Sequence, residues 1–278
     1  MLSVIVPTHN RMLELERALA GLEGQTYRDF EVVVAVDGST DGTTALLVAI
    51  GKRQPYPLTV LLLAQGGQAL ARNKAIRAAT GETLVLCDDD LVLAPETLAR
   101  HAAFHQLYPR SVAIGPVTYR EGGLQFPTRP GWVNLTGMNA SLPRREALAV
   151  GLFDESLAGY GGEDLEFGFR LAGAGLKFRP LPDADSLHLA PMVRNVAKAR
   201  SAGYQAYKIA AKHGARVGFQ LGVHPTLMAV KGAYLNRALD QLVANNPNYA
   251  FERAYQQGAL EAKRELEREP EPVINEEN

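Results

Sequence analysis

Asp88, Asp89 and Asp90 follow directly on the apolar run Leu84-Val85-Leu86-Cys87, so three adjacent carboxylates stand at the end of what reads as a buried strand. Like charges this close raise one another's proton affinity and weaken the fold unless a cation lies among them. The triplet is therefore either a site for a metal ion or polycation, or an acidic turn in solvent. Asp37 likewise comes straight off an apolar run, in "VVVAVDGSTDG". Glu163 and Asp164 follow the glycine-rich Gly159-Tyr160-Gly161-Gly162 and open a helical pattern. Acids in a first helical turn are favourable caps worth about 0.3–1 kcal/mol. A carboxylate delivered on a glycine loop also suits a general base under a closing lid. Arg72 shares a helical face with Ala69, Ile76 and Ala79, which puts a guanidinium in an apolar stripe. Such a cation needs an anion, either an Asp at a sheet edge or a phosphate of a ligand.

These residues need elements to hold them. Leu2 to Val6, Glu31 to Val36, Leu58 to Leu63, Thr83 to Cys87 and Ser111 to Val117 read as strands whose continuous apolar runs fit burial on both faces of a parallel sheet. Met12 to Leu22, Thr43 to Ile50, Gln68 to Ala79 and Pro95 to Tyr108 read as the helices between them, the last opened by its proline. Alternation of this kind predicts an open α/β sheet. Residues just past parallel strands gather along one edge, where ligands bind. That edge collects Pro7-Thr8-His9-Asn10, Asp37 and the Asp88 to Asp90 triplet. In the same turn Asp41 and Thr43 suit local turn and capping roles, whereas Asp37 converges on the triplet and reads as part of the site. Glu121 to Gly131 is rich in Gly and Pro and reads as a mobile surface loop. In the helix from Glu163, the expected core face is Leu165, Phe169 and Ala172, with Glu163, Glu166 and Arg170 on another. Helical patterns near Val193 to His213, Thr226 to Ala244 and Tyr249 to Glu267 form a C-terminal extension, and "EPEPVINEEN" has the composition of a disordered tail. The expected division is residues 1–191 as one α/β domain, with halves of about 1–118 and 119–191, then 192–268 and a tail of 269–278.

Composition bounds the function. A chain of 278 residues, 46% hydrophobic and 21% charged, is ordinary for a soluble globular protein, and a net charge of -1 gives no basic field for nucleic acid. The single cysteine, Cys87, excludes an internal disulfide framework and a multi-cysteine zinc site. The N-terminus begins on a strand-like run without the marks of a secretory signal, so the expected location is the cytoplasm. No window reaches the roughly 18 apolar residues of a membrane span. Leu221 to Leu235 is apolar enough to touch a bilayer surface, and peripheral membrane contact and self-association stay open. His101 and His105 are four apart on a helix but lack the acid of an H-E-x-x-H site, so a structural role is expected.

Three chemistries use an α/β edge with clustered acids. A P-loop ATPase needs G-x-x-x-x-G-K-[ST], which this sequence lacks. A sugar-phosphate nucleotidyltransferase wants a Gly-rich basic loop after the first strand, where this chain has "PTHNR". The third chemistry fits: "SVIVPTHNR" at 3 to 11, "FEVVVAVDGSTDGT" at 30 to 43, "ARNKAIRAATGETLVLCDDD" at 71 to 90, "GMNASLPRREAL" at 137 to 148 and "GGEDLEFGFRLAGAG" at 161 to 175 stand in consistent order. Over about its first 190 residues the chain resembles the family 2 glycosyltransferases with a GT-A fold.

The resemblance implies an inverting, divalent-metal-dependent transfer of a sugar from a nucleoside-diphosphate sugar, UDP- or GDP-linked, to a carbohydrate, lipid-linked or small-molecule acceptor. It implies that Asp37 contacts the nucleobase, that the Pro7, Thr8, His9, Asn10 and Arg11 loop packs on the nucleoside, and that Arg72 lies on the donor side. Asp88, Asp89 and Asp90 fall in the D-x-D region: Asp88 near the ribose, Asp89 on the donor nucleotide, and Asp90 binding Mn²⁺ or Mg²⁺, hard cations that take oxygen ligands. Asp164 aligns with the catalytic base, with Glu163 as its alternate or as a residue orienting the acceptor. His188, in "DSLHLAP", stands where relatives often have a metal-binding histidine; the other reading is a strand-end histidine bonded to backbone. Two departures suggest altered donor fit: Val36-Asp37 where many relatives have two acids, and Lys74-Ala75 in place of a glycine after Asn73. A protein of the same fold that binds nucleotide or glycan without turnover is the competing class.

Overall fold

The computed structural model describes residues 1–51, 53–157, 161–191, 195–230 and 247–268. It divides into two compact units, Met1–Ala158 with Glu163–Met192, and Gly159–Gly162 with Val193–Asn278. The first is mixed α/β, as the strand and helix patterns predict. Its elements are β1 (Leu2–Thr8), α1 (Met12–Glu23), β2 (Phe30–Asp37), α2 (Thr43–Gly51), β3 (Leu58–Leu63), α3 (Gln68–Ala78), β4 (Thr83–Leu86), β5 (Leu91–Leu93) and α4 (Thr97–Leu107). They continue with β6 (Ser111–Ile114), β7 (Val117–Tyr119), β8 (Leu124–Gln125), β9 (Ala140–Pro143), α5 (Arg144–Ala149), α6 (Glu163–Gly173), β10 (Lys177–Pro180) and β11 (Ser186–His188). The seven-stranded sheet runs β10-β6-β9-β4-β1-β2-β3, parallel except for β9, and a smaller sheet runs β5-β11-β7-β8.

Side chains alternate between the faces of a strand, so the buried runs of β1, β2 and β4 feed two cores at once. Ile5, Val33, Ala35, Leu84 and Leu86 face the core that takes Ala71, Ala75 and Ile76 of α3. Val4, Val6, Val32, Val34, Val36 and Val85 face the core that takes Leu15, Leu19 and Leu22 of α1. At the amino ends of these strands the buried Glu31 accepts hydrogen bonds from Ser3 Oγ (2.6 Å), the Thr80 amide (2.6 Å), Thr80 Oγ1 (2.9 Å) and the Gly81 amide (3.2 Å). This carboxylate pins β1, β2 and the lead into β4 together.

Several expectations need correction. The strand foreseen over Ser111 to Val117 is two strands in different sheets, broken at Gly115-Pro116, where a proline cannot donate to a ladder. β3 is an edge strand and not buried on both faces, with Leu62 62% exposed. The fourth helix starts at Thr97, not Pro95, and the Leu98 amide donates to the Gln25 side chain (3.0 Å). The Glu121 to Gly131 loop contains β8, and β9 has no counterpart in the expected elements. The buried face of α6 is not Leu165, Phe169 and Ala172; Phe167, Gly168 and Leu171 are buried, together with Glu163 and Glu166. Glu166 can sit there because Arg170 pairs with it (2.6 Å) and also donates to the Val150 and Leu152 carbonyls.

The second unit is helical: α7 (Val196–His213), α8 (Ala215–Gln220), α9 (Pro225–Val230) and α10 (Pro247–Leu266). Close approach of α7 and α10 depends on glycine, because a Cβ at Gly203 would lie 1.8 Å from the Tyr255 carbonyl and one at Gly258 as close to that of Arg200. The helix expected near Thr226 to Ala244 is described only through Val230. Its remainder, Gly159, Tyr160 and the 269–278 tail lie outside the described residues. Among the described residues no helix is long and apolar enough to cross a membrane.

Candidate functional site

The carboxyl ends of β1, β2 and β4 bring Thr8, Asp37 and the Asp88 to Asp90 turn to one edge, because parallel strands share a direction. Both oxygens of Asp37 accept backbone amides, from Gly66 (2.7 Å) and Gly67 (2.9 Å), which fastens the loop that leads into α3. His9 Nδ1 lies 2.5 Å from the Asp37 carbonyl. Asn10, in the left-handed region at φ 52°, accepts from the Thr40 amide (2.7 Å) and its own amide donates to Ser39 Oγ (3.0 Å). The loops after β1 and β2 are thus one hydrogen-bonded rim. Asp41 behaves as the turn residue its position suggests, accepting from the Met12 amide (2.9 Å) and the Thr43 amide (3.1 Å). Pro7 lies within β1, opposite Ala35.

Among the described residues, the cations found among these acids are two guanidinium groups. Arg11, at the start of α1, pairs with Asp90 and with Asp89 (3.3 Å). Arg72, buried in α3 at 2% exposure, lies 2.8 Å from Asp88, 3.0 Å from Asp164 and 3.6 Å from Glu163. Its stripe among Ala69, Ile76 and Ala79 is buried as the helical phase requires. The carboxylates of Asp88, Glu163 and Asp164 surround it. Phe153 lies 5.4 Å beneath the guanidinium. The other Asp164 oxygen accepts the Gly137 amide (3.0 Å). A Cβ at 137 would come 1.7 Å from Arg72 Nη2, so only glycine can present that amide here. Gly137 opens the "GMNASLPRREAL" block, but a glycine has no side chain to mark it as a donor to Asp164.

Five carboxylates, Asp88, Asp89, Asp90, Glu163 and Asp164, share these two guanidiniums. Burial pushes Asp164 above the ordinary carboxylate range; Arg72 opposes this and Glu163 adds to it. Burial raises Asp88 in the same way against the pull of Arg72. It carries Asp89 up to about 7, with Thr8 and Arg11 working against it. The Thr8 hydroxyl is buried beside Asp89 without closing a hydrogen bond of normal geometry. Burial disfavours the charge on Arg72, but Asp164, Asp88 and Glu163 outweigh it and hold the guanidinium protonated. The edge is acid-rich even after its own cations are counted.

His188 stands opposite Leu91 in the β5–β11 pair, and its Nε2 lies 3.4 Å from Asp90 Oδ1. Its Nδ1 is 3.1 Å from the Ala190 carbonyl and 3.2 Å from the Ala190 amide, so either tautomer has a partner there. Among the described residues no group of three or more His, Cys, Asp or Glu side chains is arranged to hold a metal. Asp90 and His188 supply one oxygen and one nitrogen facing each other.

Residues 3–160 match the model of glycosyl transferase family 2. Validoxylamine A glucosyltransferase of Streptomyces hygroscopicus subsp. jinggangensis is 30% identical over 221 residues, covering 63% of this chain and 52% of that protein. The uncharacterized glycosyltransferase YfnE of Bacillus subtilis is 26% identical over 252 residues, 67% of this chain and 64% of that one. The chain therefore spans between half and two thirds of the length of these relatives. Among solved structures, mannosyltransferase PcManGT from Pyrobaculum calidifontis, in complex with GDP-Man and Mn²⁺, superposes with a TM-score of 0.67 at 22% identity, over 96% of this chain and 88% of that one. Residues 1–349 of S. aureus TarS in complex with UDP superpose with a TM-score of 0.63 at 20% identity, over 91% and 80%. At these identities the likeness is one of fold.

Proposed function

The chain belongs to glycosyl transferase family 2 and has the GT-A fold, and on that premise we propose that it transfers a sugar from a nucleoside-diphosphate sugar to an acceptor hydroxyl with inversion at the anomeric carbon. The observation that carries the reading is the single buried Arg72 shared by Asp88 at the strand edge and Asp164 at the head of α6. It joins the donor side to the base side.

In this reading the rim of Pro7, Thr8, His9 and Asn10 with Asp37 receives the nucleoside, the spare lone pairs of Asp37 accepting a base N–H. Asp88 and Asp89 meet the ribose side, and Arg11 turns from Asp89 and Asp90 toward the diphosphate. Residues 1–118 would form the donor half, 119–191 the acceptor half, and 192–268 a helical extension. Asp90 and His188 would hold Mn²⁺ or Mg²⁺. The fit is supported by the surplus of carboxylates over guanidiniums and by the facing oxygen and nitrogen. When bound, the cation supplies charge stabilisation for the departing diphosphate.

Asp164 takes the proton of the acceptor hydroxyl as that oxygen bonds to the anomeric carbon and the bond to the diphosphate breaks. Burial suits it to the task by raising its proton affinity, while Arg72 keeps it ionised at neutral pH. Glu163, beside Arg72, orients the acceptor. PcManGT was solved with GDP-Man and TarS with UDP, so UDP- and GDP-sugars are the donors to screen first, with glycan and lipid-linked acceptors. Calorimetry with a panel of nucleoside diphosphates, with and without Mn²⁺, identifies the donor. Asp164→Asn should then lower single-turnover transfer by about 10²- to 10⁴-fold with nucleotide affinity kept; near wild-type transfer would sink the assignment.

A further inference from the structure

A second buried polar cluster lies behind the carboxylate edge. Asn139 is fully buried and left-handed, with φ 47°. Its Nδ2 lies 2.8 Å from the Pro116 carbonyl, 2.6 Å from the Ala184 carbonyl and 3.1 Å from Ser186 Oγ, while its Oδ1 lies 3.0 Å from His101 Nε2. Ser186 donates its one hydroxyl hydrogen to Pro116 (2.7 Å), so toward Asn139 it can only accept, sharing the two amide hydrogens with the Pro116 and Ala184 carbonyls. His101 Nδ1 is 2.7 Å from Ser141 Oγ, and His105 Nε2 is 2.8 Å from the same oxygen. Burial holds the proton affinity of both imidazoles down to about 4, so both are neutral at ordinary pH. His105 Nδ1 is buried without a partner, as an unprotonated nitrogen can be. The protons then run one way: His105 Nε2–H donates to Ser141, Ser141 donates to His101 Nδ1, and His101 Nε2–H donates to Asn139 Oδ1. That direction fixes the amide, whose nitrogen must face Pro116, Ala184 and Ser186.

What the amide joins bears on the proposed chemistry. Asn139 follows by two residues Gly137, whose amide holds Asp164. Ser186 precedes by two residues His188, which faces Asp90. The Asn139 carbonyl also accepts the Gly115 amide (2.8 Å), and a Cβ at 115 would lie 2.4 Å from Asn139 Nδ2. We propose that Asn139 is a positioning residue of the transfer reaction. Its side-chain amide sets the spacing between the loop that holds Asp164 and the strand that carries His188, and the His105–Ser141–His101 relay keeps that amide in the required orientation. The proposal rests on the site reading given above.

The test uses the full chain. Ser186→Ala removes the hydroxyl that meets both Asn139 and the Pro116 carbonyl and leaves the Asn139–Ala184 bond, and Asn139→Gly removes the hub while keeping a residue at ease at positive φ. Mn²⁺-dependent affinity for UDP or GDP should fall about 10-fold in Ser186→Ala, with metal-free affinity unchanged. For an active donor–acceptor pair at saturating Mn²⁺, Asn139→Gly should lower kcat by about 10- to 100-fold. Ser3→Ala, at the far end of the sheet, should lower Tm yet move neither readout. Wild-type Mn²⁺-dependent affinity in Ser186→Ala with wild-type kcat in Asn139→Gly overturns the proposal. So does a Ser3→Ala variant that loses as much, since the loss would then be one of stability. If Asn139→Gly does not fold, Ser186→Ala decides by itself. Failure of the site reading looks different: Asp90→Asn would leave Mn²⁺-dependent affinity intact, and both readings would fall.

Discussion

The two ends of the central sheet bury carboxylates in opposite ways. At the amino ends, Glu31 is surrounded by neutral donors from Ser3, Thr80 and Gly81. Burial works to raise its proton affinity, but those hydrogen bonds more than offset it and leave Glu31 below the ordinary range. At the carboxyl ends, Asp88, Asp89 and Asp164 stand above that range although two arginines lie among them. Glu31, met by hydroxyl and amide donors of its own chain, is a staple. Carboxylates left short of positive charge are where the proposed cation would stabilise the fold.

The contrast breaks most visibly at Arg72. Arg72→Leu leaves Asp88 and Asp164 facing each other without their shared cation, so unfolding free energy should drop by about 3–5 kcal/mol in urea titrations. Arg72→Lys should retain the charge and lose the fork, recovering stability in part. Because Arg72 lowers the proton affinity of Asp164, the acid limb of the transfer rate in Arg72→Lys should move to higher pH where the weaker contact holds Asp164 less firmly ionised. An unmoved limb would separate Arg72 from the base.

The next test sets the ends against each other in sign. Asp89 is raised to about 7, so between that value and its unfolded value of 3.8 the folded chain binds more protons, and its stability rises as pH falls. Asp89→Asn should therefore melt higher than wild type at pH 8, by about 1–2 kcal/mol, with the gap closing toward pH 5. A lower melting point at pH 8 would show that Arg11 fully compensates this acid. Glu31 has the opposite linkage: its stabilising contribution is present above the unfolded carboxylate value and is lost as pH falls through the lowered folded one. Glu31→Gln should lower stability by about 1 kcal/mol at pH 7, with the deficit vanishing in acid and transfer unchanged. A transfer defect in Glu31→Gln would make the staple part of the site.

Much of this was legible in the sequence, for a geometric reason. Continuous apolar runs alternating with helices read as parallel strands, and parallel strands fix which residues share an edge, so Asp37 and Asp88 to Asp90 could be grouped without a structure. The alanines around Arg72 gave its phase. What stayed hidden depends on groups whose chemistry is silent in a one-letter string. The amides of Gly66, Gly67 and Gly137 bind carboxylates here, and nothing about glycine announces a donor. Arg11 meets Asp90 across 79 residues of sequence. Glu166 misled the reading of α6, because a buried acid with an arginine one turn away looks like a solvated face. The break at Gly115-Pro116 was likewise hidden within an apolar run, and it is what gives Asn139 a carbonyl to hold.

The bare α-carbon of Gly137 has one more consequence. The Arg72 fork occupies the volume that any side chain at 137 would claim. A methyl group there would have to displace the guanidinium, and with it the positive charge that Asp88 and Asp164 share. Gly137→Ala, which alters no charge on paper, would thus act as an electrostatic mutation, turning a change of shape into a change in which carboxylates stay ionised.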